Sequence, residues 1–156
     1  MSDLRNYISQ IEKSRELKTI KTKVSTKYEI AGVTAKVDGS DAILFENIKE
    51  SDFRLVANLV GTRKRFALAV GASEDDIHKK VISAINNAKH PKIISSGKFM
   101  ENKSRNVLSM PIVRHFEKES GPFITSSIAY VKNPETGKQN SSFHRMMPID
   151  KTHFSI

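Results

Sequence analysis

Two β-rich segments separated by a turn constrain the fold of this chain more than any other feature. They run from Phe123 to Val131 and from Lys138 to Met147, and the stretch between them contains Asn133-Pro-Glu-Thr-Gly137. Asn, Pro and Gly favour turns because Pro fixes one backbone angle and because Asn and Gly tolerate left-handed conformations. The pattern therefore predicts a β-hairpin close to the end of the sequence.

Residues 1 to about 90 alternate between helical and strand patterns. Apolar residues at helical spacing predict four helices. They begin at the caps Ser2-Asp3, Thr26 (with Glu29 as a capping box), Thr62, and Ser73 with Asp75 and Asp76, and they end near Ser14, Gly39, Gly71 and His90-Pro91. Short apolar runs predict strands over residues 17–21, 42–46 and 55–59. This alternation is typical of an α/β layer. Residues 92–115 contain Ser95-Ser-Gly97, Asn102, Ser104, Asn106 and Pro111 and indicate a long irregular connector.

These patterns together predict helices and strands in alternation up to about residue 90, then an irregular connector and a β-hairpin. The length of 156 residues and the 38% apolar content are sufficient for an ordinary globular core. We expect a soluble cytoplasmic protein, because the N-terminus lacks the apolar core of a signal peptide and no apolar run reaches the roughly 18 residues of a membrane span.

The absence of Cys and the excess of basic residues restrict the function further. Without Cys, the chain has no disulfide, thiolate nucleophile or Cys-ligated metal. The net charge of +9 permits a nucleic-acid binder, but the basic residues are scattered among acidic ones and the densest group is only Arg63-Lys-Arg65. A lysine-rich solvated surface is therefore the preferred interpretation, and nucleic-acid binding ranks last.

Several short blocks follow one another in a fixed order along the chain: Arg15-Glu-Leu17, Glu29-Ile-Ala31, Ala42-Ile-Leu-Phe-Glu-Asn-Ile-Lys49, Ala57-Asn-Leu-Val-Gly-Thr-Arg-Lys-Arg65 and the hairpin with Asn140 and Arg145. Together they resemble the UbiD-type decarboxylases. The resemblance implies an α+β fold, in which residues 1–110 form an N-terminal α/β domain and residues 111–156 begin an FMN-binding split β-barrel, of which this is the first hairpin. It also implies reversible, non-oxidative decarboxylation of an aromatic or α,β-unsaturated carboxylic acid with prenylated FMN.

The resemblance implies roles for five residues of the hairpin. Asn140 would bind the divalent ion, usually Mn²⁺ with K⁺ as an additional candidate, that bridges the cofactor phosphate to the protein. Ser142, Phe143, His144 and Arg145 would line the prenylated FMN, and Arg145 would also face the reacting carboxylate as a catalytic residue. The odd spacing of Asn140 and Arg145 would place them on opposite faces of a regular strand. We therefore expect a bulge at Ser141-Ser142.

The sequence also departs from the family pattern. Many members have Gly-Ile-Tyr where this chain has Ser142-Phe-His144, which leaves the individual flavin contacts open. The family's metal-binding His and Glu and its catalytic acid would all lie beyond Ile156. We therefore expect the chain to be the N-terminal part of such an enzyme and to be inactive alone.

Two further possibilities concern the partners of the chain. A non-catalytic truncated relative, or a subunit completed by a second chain, would also fit, because a lone hairpin leaves open sheet edges. The expected partners are a small-molecule carboxylic acid and either a second copy or a complementary chain that supplies the rest of the barrel.

Overall fold

The computed structural model describes residues 3–89 and 92–156 and shows helices together with two three-stranded sheets. This mixed content confirms the predicted α+β class. The backbone divides into two compact units that alternate along the sequence. The first comprises the described residues of 1–22, 34–46 and 55–103, and the second comprises residues 23–33, 47–54 and 104–156. The domain boundary near residue 110 stays a prediction.

The first unit is built on a small sheet with a buried central strand. Strand β2 (Ala42–Phe45) pairs in parallel with β1 (Leu17–Ile20) and in antiparallel with β3 (Leu55–Ala57). Its side chains at Ala42, Ile43 and Phe45 are at most 2% exposed. Burial of these apolar side chains stabilises the fold. Strand β2 therefore lies at the centre of the core of this unit.

Helices α1 (Leu4–Lys13), α3 (Arg63–Val70) and α4 (Ile77–Asn86) belong to the same unit. The predicted caps of the first two are confirmed, since the Asn6 N–H donates to Asp3 at 2.8 Å and the Arg65 N–H donates to Thr62 at 3.2 Å. Gly71 ends α3 with a left-handed φ of 68°, a conformation that glycine adopts at little steric cost. The predicted break at His90-Pro91 lies outside the described residues.

Helix α2 (Glu29–Lys36) forms where a helix is predicted, but it is shorter than expected and is capped differently. The Glu29 carboxylate accepts from the Ser25 N–H at 2.6 Å, whereas the Thr26 N–H donates to Glu50 at 2.9 Å. The predicted Thr26–Glu29 capping box is therefore wrong. The Thr26 N–H donates instead to Glu50, which lies 24 residues further along the chain. The sequence of the helix alone does not reveal this partner.

The second unit contains the predicted hairpin. Strands β4 (Ile124–Lys132) and β5 (Gln139–Pro148) pair in antiparallel, and a short strand β6 (Phe154–Ser155), which the sequence pattern did not predict, extends the sheet beside β5. In the turn, Asn133 Oδ1 accepts from the N–H groups of Glu135 and Thr136 at 2.9 and 2.8 Å, and Gly137 has a φ of 69°. The turn is thus built by the residues that predicted it.

The connector between the helices and the hairpin is irregular, as predicted. Its regular elements in the described residues 92–115 are two 3₁₀ turns, Lys98–Met100 and Val107–Ser109. Within the second unit, the connector is held near Arg114, whose N–H donates to Thr26 at 3.0 Å and whose carbonyl accepts from Tyr28 at 3.1 Å.

Candidate functional site

The hairpin carries a bulge, but not at the predicted place. Residues 139–144 of β5 pair one to one with β4, including Asn140 with Val131 and His144 with Ser127. The next pair is Ile124 with Met146, so β4 contains one extra residue opposite Arg145. The predicted bulge at Ser141-Ser142 is wrong. The turn sets the register at one end, and the Phe123 N–H bond to Val113 holds the other end, so the extra residue of β4 lies between them.

Because β5 is regular, its side chains alternate between the two faces of the hairpin. Asn140, Ser142 and His144 share one face, which we call the Asn140 face. Phe143 and Arg145 lie on the opposite face, the Arg145 face, together with Ile128 and Tyr130, since directly paired residues point to the same side. The structure thus brings three of the five candidate residues together and separates the other two from them.

The Asn140 face is polar. The Ser142 hydroxyl and His144 Nε2 lie 2.8 Å apart, and the Ser127 hydroxyl donates to the His144 carbonyl. Asn140 is exposed and lines an open depression of about 480 Å³ at the turn, together with Lys132 and Lys138. The two lysines add positive charge at the turn end of the hairpin, which suits an anion such as a phosphate.

A metal ion would need more ligands than the chain supplies at this point. An amide oxygen such as that of Asn140 is a ligand that hard divalent cations accept. However, residues 3–89 and 92–156 contain no group of three or more His, Asp or Glu side chains that could hold a metal ion. Asn140 therefore offers one amide oxygen, which is not a metal site by itself.

On the Arg145 face, the guanidinium lies above an aromatic ring. Arg145 Cζ is 4.5 Å from the ring centroid of Phe123, a cation–π distance. Arg145 is exposed, and within the described part of the chain no hydrogen bond or ion pair occupies its five N–H donors. Such a group can bind a planar carboxylate through two parallel hydrogen bonds.

A carboxylate whose charge interacts with Arg145, that of Glu119, accepts two backbone N–H groups through one of its oxygens. Partial desolvation raises the pKa of Glu119, but the backbone N–H groups of His115 and Phe116 and the charges of His115 and Arg145 outweigh it and hold the pKa below its usual value. The two N–H groups donate to Glu119 at 2.9 and 3.2 Å. Glu119 therefore stays ionised and adds negative charge near Arg145.

The sequence pattern missed Phe123 as a neighbour of Arg145. Phe123 precedes β4, whereas Arg145 lies towards the end of β5, and no local spacing connects them. The antiparallel pairing that follows from the turn would have brought the two ends together, but the bulge that adjusts their position is a tertiary feature.

None of the helices in the described ranges has the length and apolar content required to cross a membrane.

Two family models match consecutive parts of the chain. Residues 8–85 match the 3-octaprenyl-4-hydroxybenzoate carboxy-lyase N-terminal domain, and residues 90–156 match the Rift-related domain of the same carboxy-lyase. Among curated proteins, the chain is 27% identical to the anhydromevalonate phosphate decarboxylase of Methanothermobacter thermautotrophicus over 98% of its own length and 36% of that protein.

Solved structures show the same similarity. The UbiD-class enzyme HmfF from Pelotomaculum thermopropionicum in complex with FMN superposes with a TM-score of 0.89 at 26% identity, over 98% of this chain and 36% of that enzyme. An evolved dimeric form of HmfF in complex with prenylated FMN gives a TM-score of 0.91 at 26% identity, over 100% and 38%. Vanillic acid decarboxylase from Sedimentibacter hydroxybenzoicus, at 22% identity and a TM-score of 0.80, shares the fold. The chain spans little more than a third of the length of these proteins.

Proposed function

Since the chain belongs to the UbiD family of carboxy-lyases, we propose that it forms the N-terminal part of a prenylated-FMN-dependent decarboxylase. The substrate would be an aromatic or α,β-unsaturated carboxylic acid, and the reaction a reversible, non-oxidative loss of CO₂. The observation that supports this most is the exposed Arg145 guanidinium, which has no hydrogen-bond or ion-pair partner in the described residues and lies on the cofactor hairpin. We also expect the protein to be cytoplasmic.

The Asn140 face would hold the phosphate end of the cofactor. Asn140 would supply one oxygen to Mn²⁺, with K⁺ as an additional candidate ion, and Lys138 at the turn would add positive charge that attracts the phosphate. Ser142, Phe143 and His144 would contact the flavin. When bound, prenylated FMN would supply the electron sink that makes loss of CO₂ feasible.

Arg145 would bind and orient the carboxylate of the substrate. Its planar guanidinium matches a carboxylate with two parallel N–H bonds, which fixes the plane of the acid as well as its position. Because Arg145 and Asn140 lie on opposite faces of β5, the two residues would act on different parts of the bound complex. Arg145 would hold the reacting end, and Asn140 would hold the phosphate end.

Two substitutions in the complete enzyme test these roles. Arg145→Lys keeps the charge but loses the planar two-point contact, so we expect turnover to fall at least about a hundredfold with a smaller loss of flavin binding. Asn140→Ala should weaken flavin retention first and lower activity as a consequence. Arg105→Lys, an exposed substitution in the same unit, is the matched control. Unchanged turnover in Arg145→Lys would contradict the catalytic role of Arg145.

A non-catalytic assembly role is the second candidate, supported by the apolar surface of the hairpin. Ile128, Tyr130 and Phe143 are 49%, 69% and 80% exposed on the Arg145 face, and such a surface needs a cover from a second copy, a complementary chain or the rest of a barrel. Flavin absorbance in the purified complete protein, measured together with its mass by light scattering, separates the two candidates. An assembly protein would form a complex without any visible absorbance.

A further inference from the structure

We propose that Phe123 is a positioning residue that holds the Arg145 guanidinium in the orientation required to bind a carboxylate. This inference rests on the proposed function, because the carboxylate is that of the substrate. Phe123 would not contact the reacting atoms, and it would act only through Arg145.

The contact is short and its aromatic partner is fixed. Arg145 Cζ lies 4.5 Å from the Phe123 centroid, whereas the other cation–π contacts of the described residues, Lys27 and Arg114 with Tyr28, measure 5.6 and 5.9 Å. Phe123 is half-buried, and its N–H donates at 3.0 Å to the carbonyl of Val113, which is 9% exposed. A half-buried ring with an anchored backbone therefore lies against a guanidinium that is otherwise exposed.

The contact with the ring leaves the N–H donors of the Arg145 guanidinium available for hydrogen bonds. A ring beside the guanidinium attracts the cation without using any N–H donor. The five donors of Arg145 have no partner in the described residues, and the nearby Glu119 carboxylate already accepts from His115 and Phe116. The arrangement thus immobilises the cation and leaves its two-point contact free for an incoming carboxylate, which reduces the ordering cost of binding.

A purely structural role for Phe123 makes a different prediction. If Phe123 only fills space, Leu should replace it with a modest effect and Tyr should bring no special benefit. If Phe123 holds Arg145 by its aromatic face, Tyr should preserve the contact and Leu should abolish it. The comparison of Phe123→Tyr with Phe123→Leu therefore distinguishes the two roles.

The first experiment observes Arg145 directly by NMR in the isotopically labelled 156-residue chain. We expect cross-relaxation between the Phe123 ring protons and the Arg145 Hδ protons, together with ring-current shifts of the Arg145 Hδ and Hε signals. Phe123→Leu should move these signals towards free-arginine values, and Phe123→Tyr should retain them. Phe116→Leu, which removes an exposed aromatic ring of the same unit, is the matched control and should leave them unchanged.

The unmodified chain alone already decides whether the contact exists. Absence of the Phe123–Arg145 cross-relaxation would overturn the inference even if the Leu variant failed to fold. Signals of Arg145 that are identical in the folded Leu variant and the unmodified chain would overturn it as well.

The second experiment measures kinetics in the complete enzyme. A contact of this kind at an exposed site contributes little energy, so Phe123→Leu should lower kcat/KM only about two- to fivefold. The effect should fall on KM, because Phe123→Leu leaves the two-point contact of Arg145 intact and only raises the cost of ordering its guanidinium on binding. Phe123→Tyr should restore the KM. A loss that falls entirely on kcat, or no recovery with Tyr, would overturn the positioning role.

The two experiments separate this inference from the proposed function. If the complete protein has no decarboxylase activity but the NMR contact depends on the aromatic ring, the proposed function fails and the positioning of Arg145 stands as a structural fact without a substrate. If the enzyme is active and depends on Arg145 but not on Phe123, the inference fails and the proposed function stands.

Discussion

Arg65 is the side chain whose loss should most weaken the first unit. It is 1% exposed, and its guanidinium donates to the carbonyls of Ser40, Asn58 and Leu59 at 2.6, 3.2 and 3.3 Å, with Glu16 at 3.6 Å. One buried cation thus connects α3 to the ends of β1 and β3 and to the segment before β2.

The consequence of Arg65→Met can be worked out bond by bond. The Leu59 carbonyl still accepts from the Tyr7 hydroxyl at 2.7 Å, and the Asn58 carbonyl still accepts from the Gly61 N–H at 3.1 Å. The Ser40 carbonyl alone loses its short charge-assisted bond. Breaking a buried charged contact costs about 3–5 kcal/mol, and the surviving partners together with the retained side-chain stem favour the lower end. We therefore expect the free energy of unfolding to fall by about 3 kcal/mol.

Urea unfolding followed by far-ultraviolet circular dichroism measures this loss, because α1, α3 and α4 all belong to the first unit. Arg63→Met is the matched control, since Arg63 is exposed on the same helix and makes one hydrogen bond, to the carbonyl of Glu74. The control should change the free energy of unfolding by under about 0.5 kcal/mol. Equal stability of the Arg65 and Arg63 variants would refute the assignment of Arg65 as the buried connection.

Three further predictions concern protection, pH and activity. Hydrogen exchange should be slow at Ile43–Phe45 in the buried strand β2 and fast at Ser126–Val131 in β4, where most side chains are exposed; equal protection in a demonstrated monomer would contradict this. The Thr152 N–H, then the His153 ring and further donors, lower the pKa of Asp150 to about 2. The turn that Asp150 holds should therefore be intact above about pH 4, the pKa of Asp in the unfolded chain, and should be lost as the pH falls through about 2. The NMR shifts of Thr152 and His153 measure this transition. A similar transition in Asp150→Asn would exclude Asp150 as its cause. Residues 1–156 alone should release no CO₂ from cinnamate-, hydroxybenzoate- or anhydromevalonate-phosphate-like acids with prenylated FMN and Mn²⁺, and release above a control without protein would disprove this.

Local patterns in the sequence predicted most of the elements of the fold. Asp3 and Thr62 cap their helices, and Gly71 and Asn133 with Gly137 end or turn the chain where expected. These features depend on residues within a few positions of one another, so their physical causes are present in the sequence itself. The order of the family blocks added the fold class and the family.

Long-range packing decided the features that the sequence left open. Arg63-Lys-Arg65 reads as a surface basic cluster, yet Arg65 is buried because carbonyls from two separate segments and Glu16 surround it. Likewise, the odd spacing of Asn140 and Arg145 raised the question of a bulge, but the bulge lies in the partner strand, and the two residues stay on opposite faces. A sequence determines which side chains alternate along a strand. The register between two strands is set only in the folded protein, where the turn and the Phe123–Val113 bond hold β4 against β5. The position of Phe123 beside Arg145 depends on that register.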